Sequence, residues 1–305
     1  MKVIAIFMAG MGLLAGGLFT MRWTLTKVFI HSFHQYLSQL TLTPLRSLLV
    51  GMIAAAFMQS SSALTLVTIG LISADLLPFE SGLGIILGAN IGTCSTVQLM
   101  TVSIPLRYLA TLLIFCCFFA LVLPKYRSIT LSLTGLCGML TGLSFLNASL
   151  ANAVELSTVL TYLENASHQP LLGISGGVLL TLLFQSSSAS TALLMSLTGQ
   201  GLIDLTAAAY SVYGNNIGSC IPSLLVGLTA PLTAKRVAVS HLILNVLGVV
   251  CFFPFTQHII KMATLLSVNL PEQVAMIHTL FNIISSVVVL VFIKSFSRLI
   301  IFLVR

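Results

Sequence analysis

The sequence has few charged residues. Only 6% of its 305 residues are charged, with 6 Asp and Glu against 13 Lys and Arg, whereas a soluble domain carries about 25%. So few charges cannot cover the surface of a soluble protein of this size, which excludes a cytosolic enzyme. The hydrophobic fraction is 57% and the mean hydropathy is +1.10. We therefore predict an all-α polytopic membrane protein in which residues 1–305 form one transmembrane domain.

Clustered basic residues and metal-binding patterns are also missing. The Lys and Arg residues stand singly between apolar runs, so the net charge of +7 does not indicate nucleic-acid binding. The six cysteines lie in apolar segments without Cys-x-x-Cys or Cys/His spacing, which favours a packing role. We expect no cofactor.

An internal repeat with an offset of 126 residues dominates the chain. Gln-Ser-Ser-Ser-Ala at 59–63 recurs at 185–189, and Gly-Ala-Asn-Ile-Gly-Thr-Cys at 88–94 recurs as Gly-Asn-Asn-Ile-Gly-Ser-Cys. In this register 19 of 63 positions from 44 onward are identical, which indicates a duplication. The offset also pairs 3–21 with the internal segment 129–147. The amino-terminal apolar run is therefore predicted to be a retained helix and not a signal peptide.

We divide the chain into repeat 1 (3–123), repeat 2 (129–249) and an extra carboxyl-terminal helix (272–305). In repeat 1 a span at 3–21 precedes an amphipathic interfacial helix at 23–42, and 150–168 is the interfacial helix of repeat 2.

The Gln-Ser-Ser-Ser segments interrupt apolar stretches too short to span the membrane. The arms at 44–58 and 63–74 would reach about 22 and 18 Å as helix, against a hydrocarbon core of about 30 Å. Irregular backbone at that depth is tolerated only inside protein or beside a cavity, so each segment is predicted to form a re-entrant helical hairpin. One long helix with a serine-rich packing face is the alternative.

If both hairpins re-enter, the chain has about seven full spans and two inverted-topology repeats. Ten basic residues then share one side against Lys2, Arg107 and Lys261, and the positive-inside rule places the larger group in the cytoplasm. This model puts the amino terminus outside and the carboxyl terminus inside. A split of 9 to 4 follows if the segments span fully, so the charges do not decide between the models.

The two tips have the chemistry of a neutral site that binds an anion with cations. Helices beginning at Ala63 and Ala189 would offer backbone N–H groups that favour an anion. Hydroxyl, amide and unwound carbonyl oxygens suit Na⁺. None of the six acidic residues lies in a tip, so a proton relay is not expected.

With these motifs the sequence resembles the type II sodium-dependent phosphate symporter family. Further resemblance lies in Lys-Arg-Val-Ala at 235–238, His241 to Asn245, and His278 to Asn282. The resemblance implies coupled binding of inorganic phosphate and Na⁺ between re-entrant tips, in a multi-pass protein of the cytoplasmic membrane. Carried over by position, the phosphate and sodium site comprises Gln59, Ser60, Ser61, Ser62, Gln185, Ser186, Ser187 and Ser188. Supporting residues would be Thr65, Asn90, Thr93, Thr191, Asn216 and Ser219.

Two departures from the family pattern matter. Asn215 and Ser219 stand where the first repeat has Ala89 and Thr93. Many bacterial members continue into a cytoplasmic helical domain, whereas this sequence stops at Arg305, so we expect any such regulation to be absent or supplied by a separate regulatory protein. A homo-oligomer is a further alternative.

Other functions compete with sodium–phosphate symport. A sodium-coupled carboxylate carrier would favour a mid-membrane arginine, and every Arg is expected near the end of a span. A serine-based membrane enzyme needs a base beside its nucleophile, and the tips contain none. A phosphate exporter and a passive anion channel also stay open.

Overall fold

The computed structural model describes residues 2–33, 43–151 and 165–305, and all regular structure in these ranges is helical. The helices are α1 (Lys2–Phe33), α2 (Pro44–Met58), α3 (Ser61–Ser73), α4 (Phe79–Leu99), α5 (Leu106–Val122), α6 (Arg127–Leu150), α7 (Pro170–Phe184), α8 (Ser187–Gly199), α9 (Leu205–Leu228), α10 (Leu232–Phe252), α11 (Thr256–Leu266), α12 (Leu270–Val291) and α13 (Ile293–Leu303).

Length and composition of the helices confirm an all-α polytopic membrane protein. Five stretches in the described ranges are long and apolar enough to cross a membrane, namely Val3–Phe29, Phe79–Leu99, Pro124–Leu150, Leu232–Leu266 and Leu270–Val291. Helices α2, α3, α5 and α7 are shorter and also apolar. The most apolar part of α4 is 78% buried and that of α1 only 28%, so α4 is a central helix and α1 a peripheral one.

Helix α1 is longer than predicted. The expected span 3–21 and the first part of the expected interfacial helix form one unbroken helix to Phe33. No glycine or proline follows Gly17 in this helix, so nothing in the backbone ends it near residue 22. Residues 34–42 and 152–164, which are parts of the predicted interfacial helices 23–42 and 150–168, lie outside the described residues.

The same helix crossing occurs in both repeats. A Cβ added at Gly51 on α2 would lie 2.2 Å from the carbonyl oxygen of Ile85 on α4. The equivalent atom at Gly177 on α7 would lie 2.0 Å from the carbonyl oxygen of Ser211 on α9. Backbones approach this closely only where side chains are absent, so the repeated glycines fix how each hairpin packs on the helix that follows it.

The first helices of the two repeats pack against each other in opposite directions. Positions close to Gly10 on α1 include Gly142 on α6, and positions close to Gly17 include Gly135. Since the contacts move backward along α6 as α1 advances, the two helices are antiparallel. Repeats of inverted topology require this relation between equivalent helices, and the inversion itself stays a prediction.

The carboxyl-terminal segment 272–305 forms two helices where we expected one. Helix α12 ends at Val291, Phe292 leaves helical geometry with φ −102° and ψ 21°, and α13 follows. Arg236 Nε donates to the carbonyl oxygen of Val304 at 3.0 Å, which ties the end of the chain to α10.

The predicted topology can be tested with two cysteines. Asn165→Cys is expected to react with an impermeant maleimide added outside intact cells, and Arg127→Cys only after permeabilisation. Both positions are exposed, and the predicted topology puts Asn165 outside and Arg127 inside. The unsubstituted protein is the control, since Cys117 and Cys251 are exposed. Equal labelling of both positions from outside would contradict the predicted topology.

Candidate functional site

Both Gln-Ser-Ser-Ser motifs lie where a pair of short helices is interrupted. Gln59 adopts a left-handed backbone conformation (φ 55°, ψ 25°) and Ser60 is extended. Gln185 (φ 50°, ψ 28°) and Ser186 repeat this geometry. A left-handed residue is a common way for a helix to end, so at both tips it ends the first short helix and turns the chain into the second.

The first serine of each motif caps the helix that follows. Ser60 Oγ accepts a hydrogen bond from the backbone N–H of Ala63 at 3.2 Å, and Ser186 Oγ accepts one from Ala189 at 3.1 Å. The half-helices therefore begin two residues earlier than the predicted starts at Ala63 and Ala189, because a serine cap satisfies an otherwise unpaired N–H group. The amino-terminal ends of α3 and α8 are thus at the tips, where they favour an anion.

The two tips meet at one small polar cavity. Ser62 Oγ donates to the carbonyl oxygen of Ser219 at 2.8 Å, which links the first tip directly to repeat 2. The space open to the centre of a water molecule is about 20 Å³, enough for about one water. The cavity is lined by Arg22, Ser60, Ser61, Ser62, Thr93, Thr181, Gln185, Ser186, Ser187, Gly218, Ser219 and Pro222.

The middle serine of each motif has its hydroxyl free for a ligand. Ser61 and Ser187 line the cavity, and in the described ranges neither hydroxyl has a hydrogen-bond partner. The third serines are engaged, because Ser62 bonds to repeat 2 and Ser188 Oγ accepts a hydrogen bond from Arg22 at 3.1 Å. Ser188 is the predicted tip serine that does not line the cavity.

Arg22 is the functional candidate that the sequence reasoning missed. It was expected near the end of a span, but α1 continues past it to Phe33 and its side chain lines the cavity. Its Nη2 donates to Ser188, and its Nε is buried without a partner among the described residues. The repeat comparison gave no signal for it, because the equivalent position in repeat 2 holds Ala148.

The two tip glutamines differ. Gln185 is exposed, lines the cavity and donates through Nε2 to the carbonyl oxygen of Leu182 at 2.7 Å. Gln59 is buried, lies outside the cavity lining and donates in the same way to Ala56. Its Oε1 is buried without a hydrogen-bond partner in the part of the chain described, so it is an oxygen available to a cation such as Na⁺.

The predicted supporting residues divide into two groups. Thr93 and Ser219 line the cavity. Thr65 and Thr191 brace the tips from behind, because their hydroxyls donate to the carbonyl oxygens of the middle serines four residues earlier, at 2.9 and 2.8 Å. Equivalent threonines thus hold the first turn of α3 and of α8.

Asn90 belongs to a buried network behind the first tip. Its Oδ1 is 3.2 Å from His241 Nε2, and its Nδ2 donates to Asn245 at 3.5 Å. The other ring nitrogen of His241 is 3.5 Å from Thr65. These contacts join α3, α4 and α10, which is the hydrogen bonding between helices expected of a polar group in a membrane.

Asn215 forms the corresponding network behind the second tip. Its Oδ1 accepts hydrogen bonds from Ser190 at 2.7 Å and Thr181 at 3.1 Å, and its Nδ2 donates to Thr191 at 3.1 Å. The predicted Asn216 instead donates within its own helix, to the carbonyl oxygen of Val212. The sequence marked Asn215 only as a departure from Ala89.

Comparison with known proteins identifies the family. A family model described as Na⁺/Pi-cotransporter matches this chain twice, over residues 13–148 and 139–270. The chain belongs to the Na⁺/Pi-cotransporter family. One match falls on each half of the chain, in agreement with the duplication.

Two bacterial proteins match almost the whole of this cotransporter-family chain. YqeW of Bacillus subtilis (strain 168), which has no assigned function, is 29% identical over 98% of this chain and 95% of its own length. YjbB of Escherichia coli K12, whose name provisionally assigns it to inorganic phosphate export, is 27% identical over 95% of this chain. The chain spans only 54% of YjbB. A shorter stretch of 86 residues is 38% identical to the mouse sodium-dependent phosphate transport protein 2C, over 27% of this chain and 14% of that protein.

No solved structure matches this Na⁺/Pi-cotransporter-family chain. Membership confirms the predicted family resemblance and the transporter class, and it excludes an enzyme. Family membership and the apolar helices together show a multi-pass membrane protein. A location in the inner membrane of a bacterium is consistent with both.

Proposed function

We propose that this protein moves inorganic phosphate together with Na⁺ across the cytoplasmic membrane, through the cavity between the two tips. The observation that carries the proposal is the convergence of both Gln-Ser-Ser-Ser motifs on one polar cavity. Family membership supports phosphate as the transported substrate.

The lining suits a phosphate ion. Ser61 and Ser187 have free hydroxyls, two helix amino termini face the cavity, and Arg22 adds a positive charge. Hydrogen bonds from such groups to a charged oxygen are the strong ones.

Neutral oxygens close to the tips suit Na⁺, which prefers hard oxygen ligands and unwound carbonyls. Gln59 Oε1 is a buried oxygen at the first tip without a partner among the described residues, and Ser95 Oγ is 3.4 Å from the amide nitrogen of the same side chain. On this basis we propose a sodium site at the first tip, where the motif residue Gln59 and the neighbouring Ser95 supply oxygens.

The small size of the cavity supports alternating access. About one water fits, and phosphate has five heavy atoms, so the tips must separate before phosphate enters. In transporters with repeats of this kind, one part rocks against the other around a fixed site. The hydrogen bond between Ser62 and Ser219 joins the repeats across the cavity and must break or re-form during that movement.

Energetics favour coupling to Na⁺ for uptake. Moving a divalent phosphate into a negative cell costs about 4.6 kcal/mol at ~100 mV, at about 2.3 kcal/mol per charge. Two Na⁺ moving inward cancel that electrical cost, and a third makes the step electrogenic.

Radiolabelled phosphate uptake into proteoliposomes tests the proposal. We expect accumulation when Na⁺ outside exceeds Na⁺ inside, and none when choline replaces Na⁺, because phosphate and Na⁺ cross together. Empty liposomes are the control. Phosphate flux that does not depend on the Na⁺ gradient would contradict coupling and would support a passive channel.

A second candidate is a sodium-coupled carboxylate carrier, because Arg22 lines the cavity and arginine pairs with carboxylates. Competition separates the two. We expect unlabelled phosphate to inhibit labelled phosphate uptake and di- and tricarboxylates at equal concentration not to do so. If a carboxylate inhibits uptake at a lower concentration than unlabelled phosphate does, the result would favour the carboxylate carrier.

A further inference from the structure

We propose that Arg22 is the residue that neutralises and orients the transported oxyanion, and that Ser188 is the positioning residue that aims its guanidinium. The inference rests on the proposed phosphate transport and deepens it by assigning the substrate's charge partner. The family resemblance implies that Ser188 belongs to the phosphate and sodium site, and it gives Arg22 no role.

The setting of Arg22 calls for a negative partner. The residue lies inside the apolar stretch Val3–Phe29 and lines the cavity. None of the lining residues is acidic, so the guanidinium has no carboxylate among them. A charge in the membrane interior is costly without a partner and marks a substrate path, so the bound anion is what compensates it.

The hydrogen bonds that Arg22 makes leave it suited to an oxyanion. Arginine has five N–H donors in a planar fork. One nitrogen, Nη2, donates to Ser188 Oγ at 3.1 Å, and Nε is buried without a partner in the described ranges. A guanidinium fixed at one nitrogen and unsatisfied at another can give two parallel hydrogen bonds to phosphate.

The arrangement breaks the symmetry of the duplication. The offset of 126 pairs Arg22 with Ala148 and Ser188 with Ser62. Ser62 donates to the carbonyl oxygen of Ser219, whereas Ser188 accepts from Arg22. The positive charge opposite the anion therefore comes from one side of the cavity, where α1 carries Arg22 and the second tip holds it through Ser188.

Equilibrium binding of labelled phosphate to purified protein at saturating Na⁺ tests the assignment. Loss of hydrogen bonds to a charged group predicts that Arg22→Gln raises the Kd by about 10- to 150-fold. Arg22→Lys keeps the charge but loses the planar fork of donors, so its Kd should lie between those of Arg22→Gln and the unsubstituted protein. Arg298→Gln removes an exposed charge on α13 and should leave the Kd unchanged.

A double-mutant cycle tests the positioning role of Ser188. Ser188→Ala should weaken binding less than Arg22→Gln, and adding it to Arg22→Gln should change the Kd no further, because Ser188 acts through Arg22. Additive effects would overturn the positioning role.

Thermal unfolding separates anion binding from packing. Phosphate should raise the Tm of the unsubstituted protein, because a ligand that binds the folded state stabilises it. It should not raise the Tm of Arg22→Gln, which binds phosphate weakly. If Arg22→Gln has a lowered Tm and an unchanged Kd, the inference is overturned. If that variant fails to fold, an unchanged Kd in Arg22→Lys overturns it instead. Absence of Na⁺-dependent phosphate binding in the unsubstituted protein would overturn the proposed function itself.

Discussion

Alanine at Ser61 or Ser187 is expected to weaken phosphate binding by about 10- to 150-fold. Each hydroxyl lines the cavity without a partner among the described residues, so its removal leaves a bound oxyanion short of one donor. Loss of a hydrogen bond to a charged group costs about 1.5–3 kcal/mol, which is the stated change in affinity. Apparent affinities for phosphate and Na⁺ in reconstituted variants measure the effect.

Ser73→Ala is the matched control for the tip serines. Ser73 lies at the far end of α3 and donates to the carbonyl oxygen of Ile69 at 2.8 Å. This variant should bind phosphate normally. A packing role for Ser61 and Ser187 predicts the opposite result, with less folded protein and unchanged affinity in what remains, and that outcome would remove them from the site.

Gly214→Ala is expected to destabilise the second hairpin by about 1–3 kcal/mol or more, the cost of overpacking a close contact. The added Cβ would lie 1.9 Å from the carbonyl oxygen of Ile174, so α7 and α9 must move apart. These helices carry Gln185 at the end of one and Ser219 on the other. Both thermal stability and phosphate transport should therefore fall.

Gly12→Ala adds the same methyl group where nothing lies within 4 Å. Alanine is the better helix former by roughly 0.8–1 kcal/mol, so this control should be as stable as the unsubstituted protein or more so. Gly88→Ala, at the equivalent crossing in repeat 1, should behave like Gly214→Ala, because its Cβ would lie 2.0 Å from the carbonyl oxygen of Leu48. Normal stability in both crossing variants would contradict the packing account.

Much of the fold could be predicted because the sequence is duplicated. A residue that recurs at a fixed offset does the same task twice, so the breaks at Gln59 and Gln185 and the crossings at Gly51 and Gly177 were accessible to sequence comparison. Prediction failed where the repeats differ.

The missed residues lack a counterpart in the other repeat. Arg22 pairs with Ala148 and Asn215 with Ala89, so the duplication gave them no support. A basic residue after an apolar run also has the ordinary pattern of a span end, and only the unbroken course of α1 brings Arg22 to the cavity. Without Arg22, the basic residues predicted inside still outnumber those outside by 9 to 3.

The most direct test is the stoichiometry and Na⁺ dependence of phosphate binding to the purified protein, measured by isothermal titration. Because both tips line one cavity, we predict one phosphate per chain, bound tightly in Na⁺ and weakly in choline, with the same site weakened by alanine at either tip. Two independent phosphate sites, or binding that is the same in Na⁺ and choline, would contradict a single shared site.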